Sequence, residues 1–155
     1  ASGHALTSEL PTPRGQGSIV AQPDSTRAVD SSTLAADLDA GRWLIVDARA
    51  PERFRGETEP IDPVAGHIPT AQNRFFKTNL QPDLTMRPAL ELRREFEALL
   101  GSRQPDQVAH QCGSGVTACV NLLAMDHAGL TGSKLHAGSW SEWIADPARP
   151  VAKGN

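Results

Sequence analysis

One stretch in the second half of the chain decides the fold. It reads Gln111-Cys112-Gly113-Ser114-Gly115-Val116-Thr117-Ala118. The segment before the cysteine, at 107–110, predicts a strand, and the segment at 117–128 predicts a helix. A glycine-rich turn between a strand and a helix points several backbone N–H groups at one spot and adds the positive end of the helix dipole. The stretch therefore predicts a cradle that stabilises a sulfur atom or an oxyanion as an anion.

Short apolar strands alternate with helices on both sides of this cradle. Alternation of this kind predicts an α/β domain with a mostly parallel central sheet and helices on both faces. Asp47-Ala48-Arg49 and Cys112 each directly follow a predicted strand, so we expect them to share the rim at the carboxyl ends of the strands. Strands are predicted at 27–29, 43–46, 107–110 and 133–136, and one more after the turn that starts at 67. Helices are predicted at 32–40, 88–100 and 117–128. A Ser139-x-x-Glu142 capping box predicts a further short helix at 139–143.

Length and charge limit the classes of protein to consider. A chain of 155 residues fits one domain. Residues 1–26 are rich in Ser, Gly, Pro, Thr and Gln without periodicity, which predicts an extended arm or an interdomain linker before a domain at 27–155. Fifteen basic and 18 acidic residues give a net charge of −3, so no footprint for nucleic acid or an anionic membrane surface is present. We recognise no signal peptide and no apolar run of membrane-spanning length.

The chain has two cysteines, Cys112 and Cys119. Two are too few for a disulfide framework, and their spacing does not suit a zinc site, so we predict no metal and no other cofactor. Cys119 falls inside the predicted helix, where we expect it to be a small buried apolar side chain. Free cysteines are typical of a reducing compartment, which predicts a cytoplasmic protein.

Cys112 is the candidate nucleophile. The pKa of a free thiol is about 8.5, and the turn and the helix that follow Cys112 would lower it toward a thiolate at neutral pH. We expect Gly113 and Gly115 to adopt backbone conformations that a Cβ would block. Ser114 and Thr117 can add hydroxyl donors to the backbone N–H groups.

Other polar side chains near the rim have both a functional and a structural interpretation. Arg53 or Arg55 could hold a carboxylate or a sulfonate through a bidentate fork, or could pair with nearby glutamates. His67 lies in a turn, where satisfying backbone groups is the favoured role. Trp140 and Trp143 suit a pocket wall and core packing equally well.

The sequence resembles the rhodanese-like sulfurtransferases over residues 27–152. Four segments match the signatures of that family in the right order, and the third is similar to the active loop of its mercaptopyruvate branch. The segments are Leu44-Ile45-Val46-Asp47-Ala48-Arg49 with Arg53-Phe54, Gly66-His67-Ile68-Pro69 with Ala71, Cys112-Gly113-Ser114-Gly115-Val116-Thr117, and Gly138-Ser139-Trp140-Ser141-Glu142-Trp143.

The resemblance implies a mechanism. Cys112 would take a sulfane sulfur from a small anionic donor as a persulfide, in a loop formed by Gly113, Ser114, Gly115, Val116 and Thr117. The sulfur would then pass to a thiol, to a thioredoxin-like protein or to cyanide. Arg53 matches the family's donor-binding arginine. Gly113 and Ser114 favour 3-mercaptopyruvate as the donor, and the alternative is thiosulfate:cyanide sulfurtransferase activity.

The sequence departs from the family pattern in two places. Asp62 stands where the mercaptopyruvate branch has a second substrate arginine, and an acidic residue there would repel a carboxylate. Thr70 replaces the usual glycine of the second signature. The chain resembles the catalytic half of two-domain enzymes, so an N-terminal rhodanese domain of the same parent chain is a candidate partner.

Two other classes of function compete with sulfur transfer. Phosphatases of related fold need a longer loop that ends in an arginine, whereas Ala118 follows Thr117 here. A non-catalytic rhodanese-fold binding module would usually lack the cysteine that this chain has at position 112. Both alternatives are therefore less favoured than a sulfurtransferase.

Overall fold

The computed structural model describes residues 3, 5, 7–10, 12, 15 and 17–155. Within them one sheet has the strand order β2-β1-β3-β4, and all of its pairings are parallel. The strands are β1 Leu44–Asp47, β2 Gln72–Asn73, β3 Val108–Gln111 and β4 Lys134–Leu135. The predicted α/β class with a parallel sheet is confirmed. Residues 17–24 are exposed and contain no helix or strand, while other parts of the predicted arm at 1–26 lie outside the described residues.

Helices cover both faces of the sheet. Strand residues that alternate in β1 and β3 point to opposite faces. Leu44, Val46 and Val108 pack in one core cluster, whereas Ile45 and Ala109 pack in another. The helices are α1 Ser31–Asp37, α2 Pro51–Phe54, α3 Ala89–Leu100, α4 Ala118–His127 and α5 Ser139–Trp143.

The two clusters divide the long helices between the faces. Leu92 and Phe96 of α3 meet Met125 of α4 in the first cluster. In the second, Leu34 of α1 meets Trp140 of α5. Each of these side chains is at most 1% exposed, and burying one contributes roughly 1.5–3 kcal/mol. The predicted helices on both faces are confirmed, and Trp140 and Trp143 belong to the core.

Local signals explain where α1 begins and ends. Asp30 caps it, because its carboxylate accepts a hydrogen bond of 2.7 Å from the backbone N–H of Thr33. The helix stops at Asp37, three residues before the predicted end, and turns lead to Gly41, whose φ is +62°. The Asp37 carboxylate accepts from the backbone N–H of Trp43 and pairs with Arg42, and this ties the end of α1 to the start of β1.

Two local predictions are wrong. Residues 27–29 do not form an edge strand: a 3₁₀ turn occupies Ser25–Arg27, and Ala28 makes a single parallel bridge with Leu135. The Ser139–Glu142 capping box does not form either, because Ser139 lies inside α5 and its hydroxyl is engaged elsewhere. Glu142 accepts instead from the hydroxyl of Ser31, 2.6 Å away.

Thr70 has a φ of +68°, in the left-handed region. A β-branched residue is strained there, whereas glycine is not. The departure from the glycine of the second signature therefore costs stability and leaves the turn in place.

Candidate active site

Cys112 lies at the carboxyl end of β3, beside the end of β1. Asp47 pairs in register with Gln111, and the backbone N–H of Ala48 donates to the carbonyl of Gln111 at 2.8 Å. Ala48, Arg49 and Cys112 line one cavity of about 320 Å³. The predicted common rim is confirmed, and it is the parallel pairing of β1 with β3 that forms it.

The Cys112 side chain lines this cavity, and the residue is buried, with 3% exposure. Burial by itself raises the pKa of the thiol. Hydrogen bonds from the Thr117 hydroxyl and from the backbone N–H groups of Ala118, Ser114 and Thr117 outweigh burial, so the net pKa of Cys112 lies below its ordinary value. The loop therefore favours the thiolate form of Cys112 in spite of its burial.

The two glycines of the loop have different roles. Gly115 has a φ of +83°, and a Cβ built on it would lie 2.5 Å from the carbonyl oxygen of Ala137. Glycine is therefore required at 115. For Gly113 the expectation was wrong: its φ is outside the left-handed region, and a Cβ there would lie 3.7 Å from Nη2 of Arg53, an ordinary contact distance.

Helix α5 holds the loop in place through hydrogen bonds to its first residues. The backbone N–H of Trp140 donates to the carbonyl of Cys112 at 3.1 Å, and that of Ser141 donates to the carbonyl of Gly113 at 3.0 Å. The Ser139 hydroxyl accepts from the backbone N–H of Cys112 at 3.0 Å. These three bonds fix Cys112 and Gly113 against α5.

Arg53 lines the cavity, but carboxylates already surround it. Its Nε lies 3.2 Å from Oε2 of Glu59, and its Nη2 contacts Oε1 of the same side chain. The Nη2 atom also lies 3.3 Å from Oδ2 of Asp62. Within the described residues, Nη1 has no hydrogen-bond acceptor, and it lies near Gly113. The site therefore offers the Nη1 end of the guanidinium to an incoming anion.

Arg49 is a structural anchor, although it touches the cavity. Its guanidinium bonds to the Asp47 carboxylate at 2.7 Å and to the carbonyl of Gly66 at 2.7 Å. It also lies 4.8 Å from the centre of a Trp140 ring, a cation–π contact. Being 3% exposed and fully paired, Arg49 fixes the loop at 56–66 against the sheet.

Arg55 and His67 do not line the cavity. Arg55 pairs with Glu57 at 2.7 Å, which agrees with the structural interpretation. His67 is buried, its Nδ1 lies 2.8 Å from the carbonyl of Phe54, and its ring stacks on that of Phe54. The expectation that His67 satisfies backbone groups is confirmed.

Several cavity residues escaped the sequence analysis. Phe75 and Phe76 follow β2, and Ile61 stands at the mouth with 75% exposure, across from the predicted Val116, which is 72% exposed. Two aromatic side chains after a short strand were a usable signal, because that strand ends at the same rim. The cavity is lined by the predicted Arg53, Cys112, Gly113, Ser114, Val116 and Thr117 together with Ala48, Arg49, Ala50, Ile61, Asp62, Phe75, Phe76 and Ser141.

The prediction for Cys119 is wrong. Its side chain is exposed, and its Sγ lies 3.3 Å from the carbonyl oxygen of Gly115. Ala124 and Met125 of α4 pack in the core, and Cys119 lies on the opposite side of the same helix. The predicted helix at 117–128 has few polar residues, so its sequence does not show which of its sides faces the solvent.

Among the described residues, no group of three or more His, Cys, Asp or Glu side chains is arranged to hold a metal ion. No helix in the same part of the chain is long and apolar enough to cross a membrane.

Comparison with known proteins identifies relatives of this chain. Residues 30–146 match the model of the rhodanese-like domain. The chain is 50% identical over 155 residues to a protein of Pseudomonas aeruginosa named "Probable 3-mercaptopyruvate sulfurtransferase", covering all of this chain and 54% of that protein. It is 36% identical over 108 residues to "Thiosulfate/3-mercaptopyruvate sulfurtransferase 2" of Arabidopsis thaliana, covering 68% of this chain and 31% of that one.

A solved structure extends the comparison to the fold. The Tum1 protein of Saccharomyces cerevisiae superposes with a TM-score of 0.69 at 27% identity, covering 83% of this chain and 47% of that one. The chain thus spans about half the length of the curated relatives it matches. The match to the domain model and the identity to these relatives show that the chain belongs to the rhodanese-like domain family.

Proposed function

We propose that this chain is a sulfurtransferase domain that carries a sulfane sulfur on Cys112. The donor is a small anion, with 3-mercaptopyruvate favoured and thiosulfate as the alternative. The observation that carries the proposal is the placement of Cys112, which is buried in the cavity at the carboxyl end of β3 beside Arg53, where hydrogen bonds from its own loop and from the Thr117 hydroxyl lower its pKa. Hydrogen-bond donors fixed around a buried sulfur stabilise its anionic form, and they would stabilise the terminal sulfur of a persulfide in the same way.

The first half of the reaction forms a persulfide. The Cys112 thiolate attacks the outer sulfur of thiosulfate, the S–S bond of the donor breaks, and sulfite leaves with the electron pair. With 3-mercaptopyruvate the C–S bond breaks instead, its electrons go to the methylene carbon, the thiol proton ends on that carbon, and pyruvate leaves. In both cases Cys112 becomes a persulfide anion and no external oxidant is needed.

The second half returns the cysteine to its thiolate. A thiolate acceptor, on a small thiol or on a thioredoxin-like protein, or cyanide attacks the outer sulfur of the persulfide, and the Cys112–sulfur bond breaks. Because the cavity is open and two apolar side chains, Ile61 and Val116, stand exposed at its mouth, either class of acceptor can approach the sulfur.

We also propose that the domain is part of a longer, two-domain chain in the cytoplasm. Its relatives are about twice as long as this chain, which supports a parent chain with a second rhodanese-like domain, joined to this one through residues 1–26. Two free cysteines, one exposed and one with a lowered pKa, suit the reducing conditions of the cytoplasm.

Mass spectrometry of the intact chain tests the proposal. After incubation with 3-mercaptopyruvate or thiosulfate, we expect the mass of the chain to rise by one sulfur atom. Peptide mapping should place that atom on the peptide that contains Cys112. Cys112→Ala abolishes this addition and turnover, while the control Cys119→Ala retains both. An unchanged mass with both donors, or transfer by Cys112→Ala, contradicts the proposal.

Arg53 provides a second test of the same proposal. Arg53→Ala removes the guanidinium edge that faces Gly113, so we expect a higher KM for anionic donors with kcat less affected. Arg55→Ala is the matched control, because Arg55 pairs with Glu57 outside the cavity. Unaltered donor kinetics in Arg53→Ala would assign this arginine a purely structural role.

A further inference from the structure

We propose that Asp62 is a specificity-determining residue that selects the charge of the sulfur donor. Its carboxylate competes with an anionic donor for Arg53, and it acts more strongly against a dianion than against a monoanion. This inference rests on the proposed function and deepens it, because it concerns the donor of the same site.

Asp62 occupies the place in the cavity that an anion would take. Its Oδ2 lies 3.3 Å from Nη2 of Arg53, and its Oδ1 accepts a hydrogen bond of 2.7 Å from the Ser141 hydroxyl. The same Oδ2 would lie 3.9 Å from a Cβ on Gly113, the residue after the nucleophile. The Asp62 side chain thus occupies two hydrogen-bond donors of the cavity, Nη2 of Arg53 and the Ser141 hydroxyl.

The remaining carboxylates leave no excess positive charge on Arg53. Glu59 is bound through both oxygens to Arg53, and its Oε2 also lies 3.3 Å from Nη1 of Arg49. Burial raises the pKa of Glu59, but the Arg53 side chain and the backbone N–H groups of Asp62 and Ile61 outweigh burial and keep the pKa low. Glu59 therefore stays ionised and already neutralises one guanidinium.

The formal charges of the ion-paired side chains around Arg53 give the sign of the electrostatic potential that a donor meets in the cavity. Asp47, Glu59 and Asp62 contribute three negative charges, and Arg49 and Arg53 contribute two positive charges. The cluster has a net formal charge of −1, and without Asp62 it would be neutral. Since Coulomb energy scales with the product of the charges, thiosulfate with two negative charges meets about twice the repulsion of a mercaptopyruvate carboxylate. Asp62 therefore favours the monoanionic donor.

Alkylation of Cys112 tests this charge selection without any need for sulfur transfer. Iodoacetate and iodoacetamide differ mainly in the negative charge of the reagent. In Asp62→Asn, which keeps the shape and an acceptor for Ser141, we expect the iodoacetate-to-iodoacetamide rate ratio at Cys112 to rise about tenfold. Asp62→Ala should move the ratio in the same direction.

Two controls belong to this experiment. Cys119 is exposed and does not line the cavity, so its rate ratio in the same samples should not change. Asp39→Asn removes the same charge from an exposed position and should leave the ratio at Cys112 unchanged. An unchanged ratio at Cys112 in a folded Asp62→Asn variant overturns the inference.

Donor kinetics provide the second measurement. In Asp62→Asn, kcat/KM for thiosulfate should rise by a larger factor than kcat/KM for 3-mercaptopyruvate, mainly through KM. Equal gains for both donors would overturn charge selection. Failure of the wild-type chain to form a persulfide with either donor would refute the proposed function, while the alkylation ratio would still decide the role of Asp62.

Discussion

The hydroxyl oxygen of Ser139 accepts a hydrogen bond of 3.0 Å from the backbone N–H of Cys112 and donates one of 2.8 Å to the carbonyl of His136. One side chain thus joins the start of the cysteine loop to the segment after β4. Ser139 is fully buried, and its φ of +53° is rare for a residue with a side chain. Strained backbone of this kind persists where the surrounding contacts hold it.

Ser139→Ala is expected to destabilise the domain by about 1–3 kcal/mol, because it leaves the buried N–H of Cys112 without an acceptor. Urea unfolding measures the change. Ser102→Ala is the matched control: Ser102 is exposed and lies outside the cavity lining, so its loss should change the free energy of unfolding by about 0.5 kcal/mol or less. Equal losses in the two variants would contradict this role of Ser139.

Thr117→Val should raise the pKa of Cys112, since it removes the hydroxyl that donates to the sulfur and keeps the shape of the side chain. The pH dependence of Cys112 alkylation by iodoacetamide measures that pKa as the midpoint of the rate profile. Thr58→Val changes an exposed threonine outside the cavity lining and should not shift the profile. A midpoint that stays in place in Thr117→Val would show that the backbone donors suffice.

The two loop glycines allow a paired substitution. Gly115→Ala places a Cβ against the Ala137 carbonyl at a positive φ, so a loss of at least about 1–2 kcal/mol in stability and a large loss of sulfur transfer are expected. Gly113→Ala makes only ordinary contacts with Arg53 and should keep the fold. Thermal unfolding and persulfide formation measure both effects. Tolerance of alanine at 115 would contradict the close approach of the loop to Ala137.

His110 predicts a pH dependence of stability. It is fully buried, and burial lowers its pKa to about 3, with Arg74 acting in the same direction. Between the ordinary value near 6.5 and about 3, the unfolded chain binds a proton that the folded chain does not. Stability should therefore fall as the pH is lowered through this window, with a slope of up to about 1.4 kcal/mol per pH unit.

His110→Leu removes this contribution and should flatten the dependence of the unfolding free energy on pH below 6.5. Urea unfolding at several pH values measures the slope. The control His127→Leu changes an exposed histidine and should leave the slope as it is. An equally steep slope in His110→Leu would assign the acid sensitivity to other groups, such as the buried His136, whose pKa is also lowered.

Thr70→Gly should stabilise the domain by about 0.5–1 kcal/mol. Glycine relieves the cost of a left-handed φ, about 1–2 kcal/mol, and loses part of that gain to its greater freedom in the unfolded chain. Thr58→Gly, at a position without a positive φ, should not stabilise. The midpoint of thermal unfolding separates the two outcomes.

The sequence alone determined the class of fold and pointed to Cys112 as the candidate nucleophile. Continuous apolar runs such as Leu44–Val46 predict buried parallel strands, because both faces of such strands are covered. Cys112 followed by two glycines and a helix predicts an anion cradle, because the backbone N–H groups that form such a cradle all belong to that short stretch. These inferences succeed where the physical cause lies within about ten residues of chain.

Only the tertiary structure decided the charge and the support of the site. Asp62 and Ser141 meet Arg53 and Gly113 because the irregular loop at 56–66 folds over the rim, and no local pattern specifies that path. The same reason explains the error on Ser139, whose hydroxyl bonds to Cys112, 27 positions earlier, and does not cap its own helix. Likewise, whether Cys119 faces the core or the solvent depends on how α4 lies against the sheet. Contacts between residues far apart in the chain set these features, so they become visible only when the chain is folded.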